Sequence, residues 1–327
     1  MSEARCPVIL LTGFLGSGKT TLLNRMLRDP ALSDSVIIIN EFGDIPLDHL
    51  LITHVDENIR LLDTGCVCCT VRGDLIDTLI DLRDRRARGE LAFSRVFIET
   101  SGLVDPAPIF HSFAADPALT GDWQLCAVVT TLDAVNGERT LALHDQARRQ
   151  IALADLIVMT KEDIATAEQK AGVTALAHRL NPYAAHIAVS DGGLTALLTS
   201  SGLRQHLGTP GADQPAHHAH DHDHRSSIQS RSLFLDDPVP QAALLEWIDL
   251  LAALRGEKLL RLKGLVRTIE APDHPVLIQV VQHVVHPAET LDRWPDAERR
   301  SRIVIIGDDL DMDTVERTFR RHLTVGS

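Results

Sequence analysis

The stretch VILLTGFLGSGKTTLL, residues 8–23, constrains the fold more than any other part of the chain. A short apolar run enters GFLGSGKT (Gly13–Thr20), which fits G-x-x-x-x-G-K-[ST], and a helical pattern opens near Lys19. A strand, a glycine-rich turn and a helix in that order direct backbone N–H groups into one concavity at the helix N-terminus, which suits phosphate oxygens. Gly13, Gly16 and Gly18 allow the close approach, and Ser17 and Thr21 complete the expected cradle. Lys19 reaches the outer phosphates, and the Thr20 hydroxyl is the expected Mg²⁺ ligand.

Apolar, β-rich runs alternate with helical patterns through the first two-thirds of the chain. VILLT (8–12), VIIIN (36–40), IRLLD (59–63), RVFIET (95–100), LCAVVTTLD (125–133), DLIVMT (155–160) and HIAVS (186–190) read as strands. DLIDTLIDLRDRRARG (74–89) reads as an amphipathic helix ending at Gly89. Continuous apolar strands separated by helices predict a mostly parallel sheet covered on both faces. The expected fold class is therefore α/β: a P-loop NTPase core with a doubly wound sheet, followed by a smaller C-terminal α+β domain.

The pattern breaks at GTPGADQPAHHAHDHDHRSS (208–227), which has no periodicity and no apolar face, and it reads as a flexible linker. The expected domains are 1–207, the His-rich linker 208–227, and 228–327. In the last, SIQSRSLFLD, KLLRLKGLVRTI, VLIQVVQHVVH and SRIVIIG each read as one strand, and VPQAALLEWIDLLAAL and MDTVERTFRRHL as helices.

The formal charge of −13 argues against nucleic acid or an anionic membrane surface as partner. No apolar run is long enough to span a bilayer. MSEARCPVILLTG lacks a basic n-region and a cleavage site. Five cysteines, three of them crowded together, fit free thiols in a reducing cytoplasm better than a disulfide framework.

The phosphate loop alone does not choose between ATP and GTP. In DLIVMTKEDI, Thr160-Lys161-Glu162-Asp163 closes an apolar strand. A carboxylate at Asp163 can accept hydrogen bonds from both N1–H and the exocyclic amine of guanine, a donor pair that adenine lacks. Lys161 would lay its stem along the base. The usual guanine-reading tetrapeptide is Asn-Lys-x-Asp, with Thr160 standing here for asparagine; a solvated helix start is the alternative reading. RVFIETSGLVDP sets Glu99 at a strand tip as a holder of Mg²⁺, with Gly102 close to the terminal phosphate. NEFGDIPLDH (40–49) supplies Glu41 and Asp44 as acids of a switch loop. Lys19, Thr20, Glu99 and Asp44 form the expected catalytic set.

LLDTGCVCCTVRGDL (61–75) carries Cys66, Cys68 and Cys69 as C-x-C-C. Three thiolates favour Zn²⁺, Cu(I) or similar metals over Mg²⁺ or Ca²⁺. A redox dithiol and a buried small hydrophobe are the alternatives for the cluster, and a buried small hydrophobe is the reading for Cys6 and Cys126. Glu41, Asp44 or His49 could complete the site. The cluster falls between the switch segment and the Glu99 strand, segments that rearrange when a terminal phosphate is lost, so metal affinity could follow nucleotide state.

In order, GFLGSGKTTLLN, NEFGDIPLDH, GCVCCT, ETSGLVDP and TKED resemble the CobW-type metallochaperone GTPases, relatives of the urease and hydrogenase nickel-insertion GTPases. The resemblance extends through RLKGLV, LDRWPDAERRSRIVIIG and the terminal helix. It implies GTP binding, slow Mg²⁺-dependent hydrolysis to GDP, a transition metal at C-x-C-C, and handover to a client metalloprotein; a homodimer is compatible with it. Asp44 stands where glutamate is common, with a shorter reach.

His217, His218, His220, His222 and His224 form a ladder in the linker, with mostly neutral imidazoles suited to weak multi-site capture of Zn²⁺, Ni²⁺ or Co²⁺. A solvated linker is the plainer reading. His283 and His286, in a strand-like run, read as structural. Three functions compete: a GTPase that loads zinc into a client, a zinc buffer with nucleotide-gated affinity, and a cobalt-delivery factor for a corrin pathway or nitrile hydratase. Thiolate-rich sites hold zinc more tightly than cobalt in the divalent series, which favours zinc.

Overall fold

The computed structural model describes residues 5–40, 59–61, 70–188 and 227–324. These form two compact units, one running to Val173 and taking up the chain again at Ala185, the other joining Thr174–Ala184 to the C-terminal part.

The first unit holds β1 (Cys6–Gly13), α1 (Lys19–Leu27), β2 (Ser35–Asn40), β3 (Ile59–Leu61), α2 (Thr70–Ala87), β4 (Arg95–Thr100) and α3 (Ala107–Ala115). It continues through α4 (Pro117–Thr120), β5 (Trp123–Asp133), α5 (Gly137–Leu143), α6 (Asp145–Leu153), β6 (Leu156–Thr160) and β7 (Ala185–Ala188); between the last two strands comes α7 (Ala167–Leu180), whose residues from Thr174 onward belong to the second unit. The strand order is β3-β2-β4-β1-β5-β6-β7, and each of its pairings is parallel. The apolar runs become strands because both faces are covered: every residue of β4 and of β6 is buried. The chain winds outward from β1 in two directions, so the loop after β1 opens at the topological switch point, where α/β sheets bind ligands.

Helix α2 stops at Ala87, two residues before the glycine the sequence suggested. Glu90 N–H donates to Arg85 O and Gly89 N–H to Arg86 O, both at 3.0 Å, the paired bonds that close a helix C-terminus at a glycine.

In the second unit, β8 (Ile228–Leu235), β9 (Leu259–Val266), β10 (Val276–Val281), β11 (Val284–Val285) and β13 (Ser301–Asp308) form an antiparallel sheet in the order β11-β10-β9-β13-β8, with β12 (Glu289–Thr290) on β10. Helices α8 (Gln241–Arg255) and α9 (Met312–Thr324) share one apolar core with alternate sheet residues such as Val276, Ile278 and Val280. Trp247 and Phe319 meet edge-on there, their ring centroids 4.7 Å apart. Leu265, Leu277 and Trp294 form a separate small cluster.

One element departs from the sequence reading. VLIQVVQHVVH folds as a tight hairpin, pairing Val280 with Val285 and Val281 with Val284, and not as one strand. Its turn holds Gln282 at φ +53 without the Gly or Asn that signals such a turn, and apolar residues on both arms hid the reversal. Nδ1 of His283 lies 2.9 Å from Ala252 O at the end of α8, so this imidazole fastens the turn to the helix.

Candidate functional site

The loop between β1 and α1 takes the form its glycines require. Gly18, the residue capping α1, lies at φ +92, in the left-handed region that only glycine enters without strain. Ser17 N–H closes the turn on Phe14 O at 3.1 Å. Lys19 is buried, and its Nζ donates to Gly13 O (2.9 Å) and Phe14 O (3.3 Å) across the mouth of the loop. Phosphate oxygens would be stronger acceptors for that ammonium than neutral carbonyls. Thr20 is half-buried, while Gly16 and Thr21 are exposed.

A chain of hydroxyls fastens the loop to the sheet. Ser17 Oγ lies 2.6 Å from Thr131 Oγ1, which donates onward to Thr12 O (3.3 Å). Thr100 Oγ1 donates to Thr12 Oγ1 at 2.9 Å, which ties the tip of β4 to the end of β1. Glu99 sits in that tip, 3% exposed and in register with Leu11. The buried Glu99 carboxylate and the Thr20 hydroxyl at the start of α1 are hard oxygen donors of the kind that suits Mg²⁺. Just beyond, Gly102 passes so close to the loop that a Cβ there would lie 2.7 Å from Leu15 N. No side chain fits at that position.

The third component is the end of β6. Thr160 is buried, and its Oγ1 donates to Ser17 O at 2.7 Å, with Leu132 O at 3.3 Å. Lys161 follows at φ +57 and directs Nζ to Asp133 Oδ2, 2.7 Å away. Asp163 lies exposed in the turn that follows. Asp133 was not among the residues the sequence singled out. Its Oδ1 also accepts from Val135 N–H (2.8 Å) and Asn136 N–H (3.0 Å), which starts α5. Burial alone would raise the Asp133 carboxyl, but the bonds from Lys161, Asn136 and Val135 outweigh it and hold the group below the usual carboxylate range. The available sequence signal was a polar residue, Thr12, Thr100, Thr131, Asp133 or Thr160, at or next to the end of each central strand.

Gly13, Gly16, Ser17 and Gly18 thus form the loop and Lys19, Thr20 and Thr21 open α1, with Glu99 and Thr160 on nearby strands and Gly102 in the turn after β4. The metal candidates Glu41, Asp44, His49, Cys66, Cys68 and Cys69, and the ladder His217, His218, His220, His222 and His224, lie outside the described residues. Among the described residues, no group of three or more His, Cys, Asp or Glu is arranged to hold a metal ion. No helix among them is long and apolar enough to cross a membrane.

A strand, a glycine loop and a helix at the switch point of a parallel sheet, with a buried acid one strand away, define a P-loop nucleotide-binding protein. The sequence matches the family described as CobW/HypB/UreG, nucleotide-binding domain, over residues 7–188, and the cobalamin synthesis protein cobW C-terminal domain over residues 228–323. The chain belongs to the CobW/HypB/UreG family. It is 32% identical over 314 residues to the zinc chaperone YjiA of Escherichia coli (strain K12), covering 95% of this chain and 97% of that protein. It is 31% identical over 355 aligned positions to the zinc chaperone CobW of Pseudomonas aeruginosa, covering 98% and 92%. The crystal structure of Zn(II)-bound YjiA GTPase from E. coli superposes with a TM-score of 0.73 at 27% identity, covering 98% of this chain and 99% of that one.

Proposed function

We propose that this protein is a GTP-dependent metallochaperone. It takes zinc as cargo at Cys66, Cys68 and Cys69, hydrolyses GTP at the P-loop, and releases the metal to a client metalloprotein as the terminal phosphate is lost. One topological observation supports the coupling. Strand β3 ends at Leu61, in register with Ile39 of β2, and Ile39 is in register with Glu99 of β4. Leu61, the last described residue before the cysteine segment, therefore lies about 10 Å, two strand spacings, from Glu99. Helix α2 begins at Thr70, one residue after Cys69.

The geometry supports a set of roles. Lys19 exchanges its two carbonyl partners for phosphate oxygens. Thr20 and Glu99 would hold Mg²⁺, which when bound neutralises charge on the phosphates. Asp163 reads the guanine edge, and Lys161, braced by Asp133, lies beside the base. A run of three cysteines suits a reducing compartment, which supports the cytoplasm as the place of the activity. The zinc chaperones among its relatives support zinc as the cargo.

The deciding experiment is zinc affinity, by competition with a chromophoric chelator, in GDP and in a non-hydrolysable GTP analogue, alongside measured GTP turnover. Different affinities in the two states are expected. Equal affinities would overturn the coupled transfer and leave a metal-binding GTPase.

A further inference from the structure

Helix α6 contains a polar side chain that the sequence reading left unassigned. Gln150 is 1% exposed, yet its carboxamide is fully committed on one side: Nε2 donates to Gly102 O and to Val104 O, each at 3.1 Å. Its backbone carbonyl accepts from Thr130 Oγ1 at 3.1 Å, which fixes this turn of α6 to β5. The preceding residue grips the same segment, since Arg149 Nη1 lies 3.4 Å from Asp105 Oδ2. The segment so held is the turn closed by Val104 N–H on Ser101 O, at 3.1 Å, and it contains the glycine pressed against Leu15 of the phosphate loop. With both amide hydrogens used on the turn, Oε1 is buried without a hydrogen-bond partner, and Gln150 also lines a cavity of about 280 Å³ together with Phe14, Leu15, Thr131 and Lys161.

A buried carboxamide with two carbonyl acceptors on one short turn is an unusual expense of polar groups for packing alone, because an apolar residue of the same size would fill the space without leaving Oε1 unsatisfied. What the amide adds is position. It fixes the carbonyl of Gly102 from behind while Leu15 limits it from the front, so the turn cannot drift relative to the phosphate loop. We propose that Gln150 is a positioning residue for recognition of the third phosphate: by holding Ser101–Val104 against Leu15, it sets the gap that distinguishes GTP from GDP. The proposal rests on the reading that Gly102 meets the terminal phosphate of GTP. It assigns Gln150 no contact with nucleotide.

The test compares Gln150→Met, which keeps the volume and removes both donors, with Gln150→Glu, using affinities for GDP and a non-hydrolysable GTP analogue, and kcat and KM for GTP. Both variants should lose about tenfold in affinity for the triphosphate analogue, as expected for two lost hydrogen bonds, with GDP affinity within about twofold of the parent. Gln150→Glu should regain part of that loss, relative to the parent, as the pH falls, because a protonated carboxyl can again donate to one carbonyl. Gln150→Asn, which keeps the amide but shortens its reach to Gly102 and Val104, should show the same selective loss, so poor folding of the Met or Glu variant does not end the test. Equal loss of both nucleotides, or no loss of either, in variants that melt as the parent does would overturn the positioning role and leave the GTPase reading standing. Failure of the parent protein to bind either guanine nucleotide would overturn both.

Discussion

Thr160 Oγ1 donates a 2.7 Å hydrogen bond to the carbonyl oxygen of Ser17, joining the end of β6 to the middle of the phosphate loop. Threonine occupies the first position of a tetrapeptide where asparagine is usual, and its short side chain still spans this gap. Gly18 makes that fit possible, since a Cβ there would lie 3.3 Å from Thr160.

Thr160→Val removes that donor with little change of shape and leaves Ser17 O buried without it. A loss of about 1–2 kcal/mol in unfolding free energy is expected by denaturant titration, with weaker binding of both GTP and GDP. Unchanged stability and affinity would show that the bond is dispensable.

The Asp133–Lys161 pair makes a pH-dependent contribution. Because the folded carboxyl is held below its ordinary value, its stabilisation is complete above about pH 4 and fades as the pH falls through the lowered value. The stability difference between the parent and Asp133→Asn should therefore be level from neutral pH to about pH 5 and shrink below pH 4. A difference that grows on acidification would contradict the assignment.

Loss of the loop lysine and loss of a thiol should separate the two activities. Lys19→Ala should weaken nucleotide binding by about 100-fold, the loss expected for a charge-assisted contact, while zinc stoichiometry is retained. Cys68→Ser should do the reverse, losing zinc affinity with near-normal nucleotide binding. Paired calorimetric titrations with zinc and with nucleotide read both outcomes.

In the second unit, the Arg300 guanidinium forms paired bonds with Glu298 and pulls that carboxyl down to about 2. Carboxyl NMR titration should give a midpoint near there, returning toward the ordinary glutamate range in Arg300→Ala. A normal midpoint in the parent protein would show that the paired bonds to Glu298 Oε2 do not persist in solution.

Burial raises the Cys6 thiol to about 11, and Arg86 and Arg95 only partly oppose it. At pH 8 the native protein should therefore alkylate slowly at Cys6, with full reactivity only after unfolding, as peptide mass spectrometry would show. Rapid native labelling of Cys6 would place the first strand in a more open setting.

Much of the fold was legible because its signals are local. The parallel strands follow from uninterrupted apolar runs such as RVFIET, which only burial on both faces tolerates, and the phosphate loop follows from glycine spacing. The hairpin at Val276–Val285 was not legible, since its reversal depends on Gln282 at positive φ and on the hold of His283 on a helix some 30 residues away in sequence.

The sequence by itself determined the strand–loop–helix unit, the candidate ligands of the cysteine run and the order of the motifs, because each is set by residues within a turn or two of one another. Tertiary structure alone decided that Asp133 braces Lys161, that Thr160 reaches Ser17 across 143 positions, and that Gln150 holds Gly102. These are bonds between buried polar groups brought together by strand order. A buried donor takes whatever acceptor the packed core sets beside it, and no local pattern of residues encodes that neighbour.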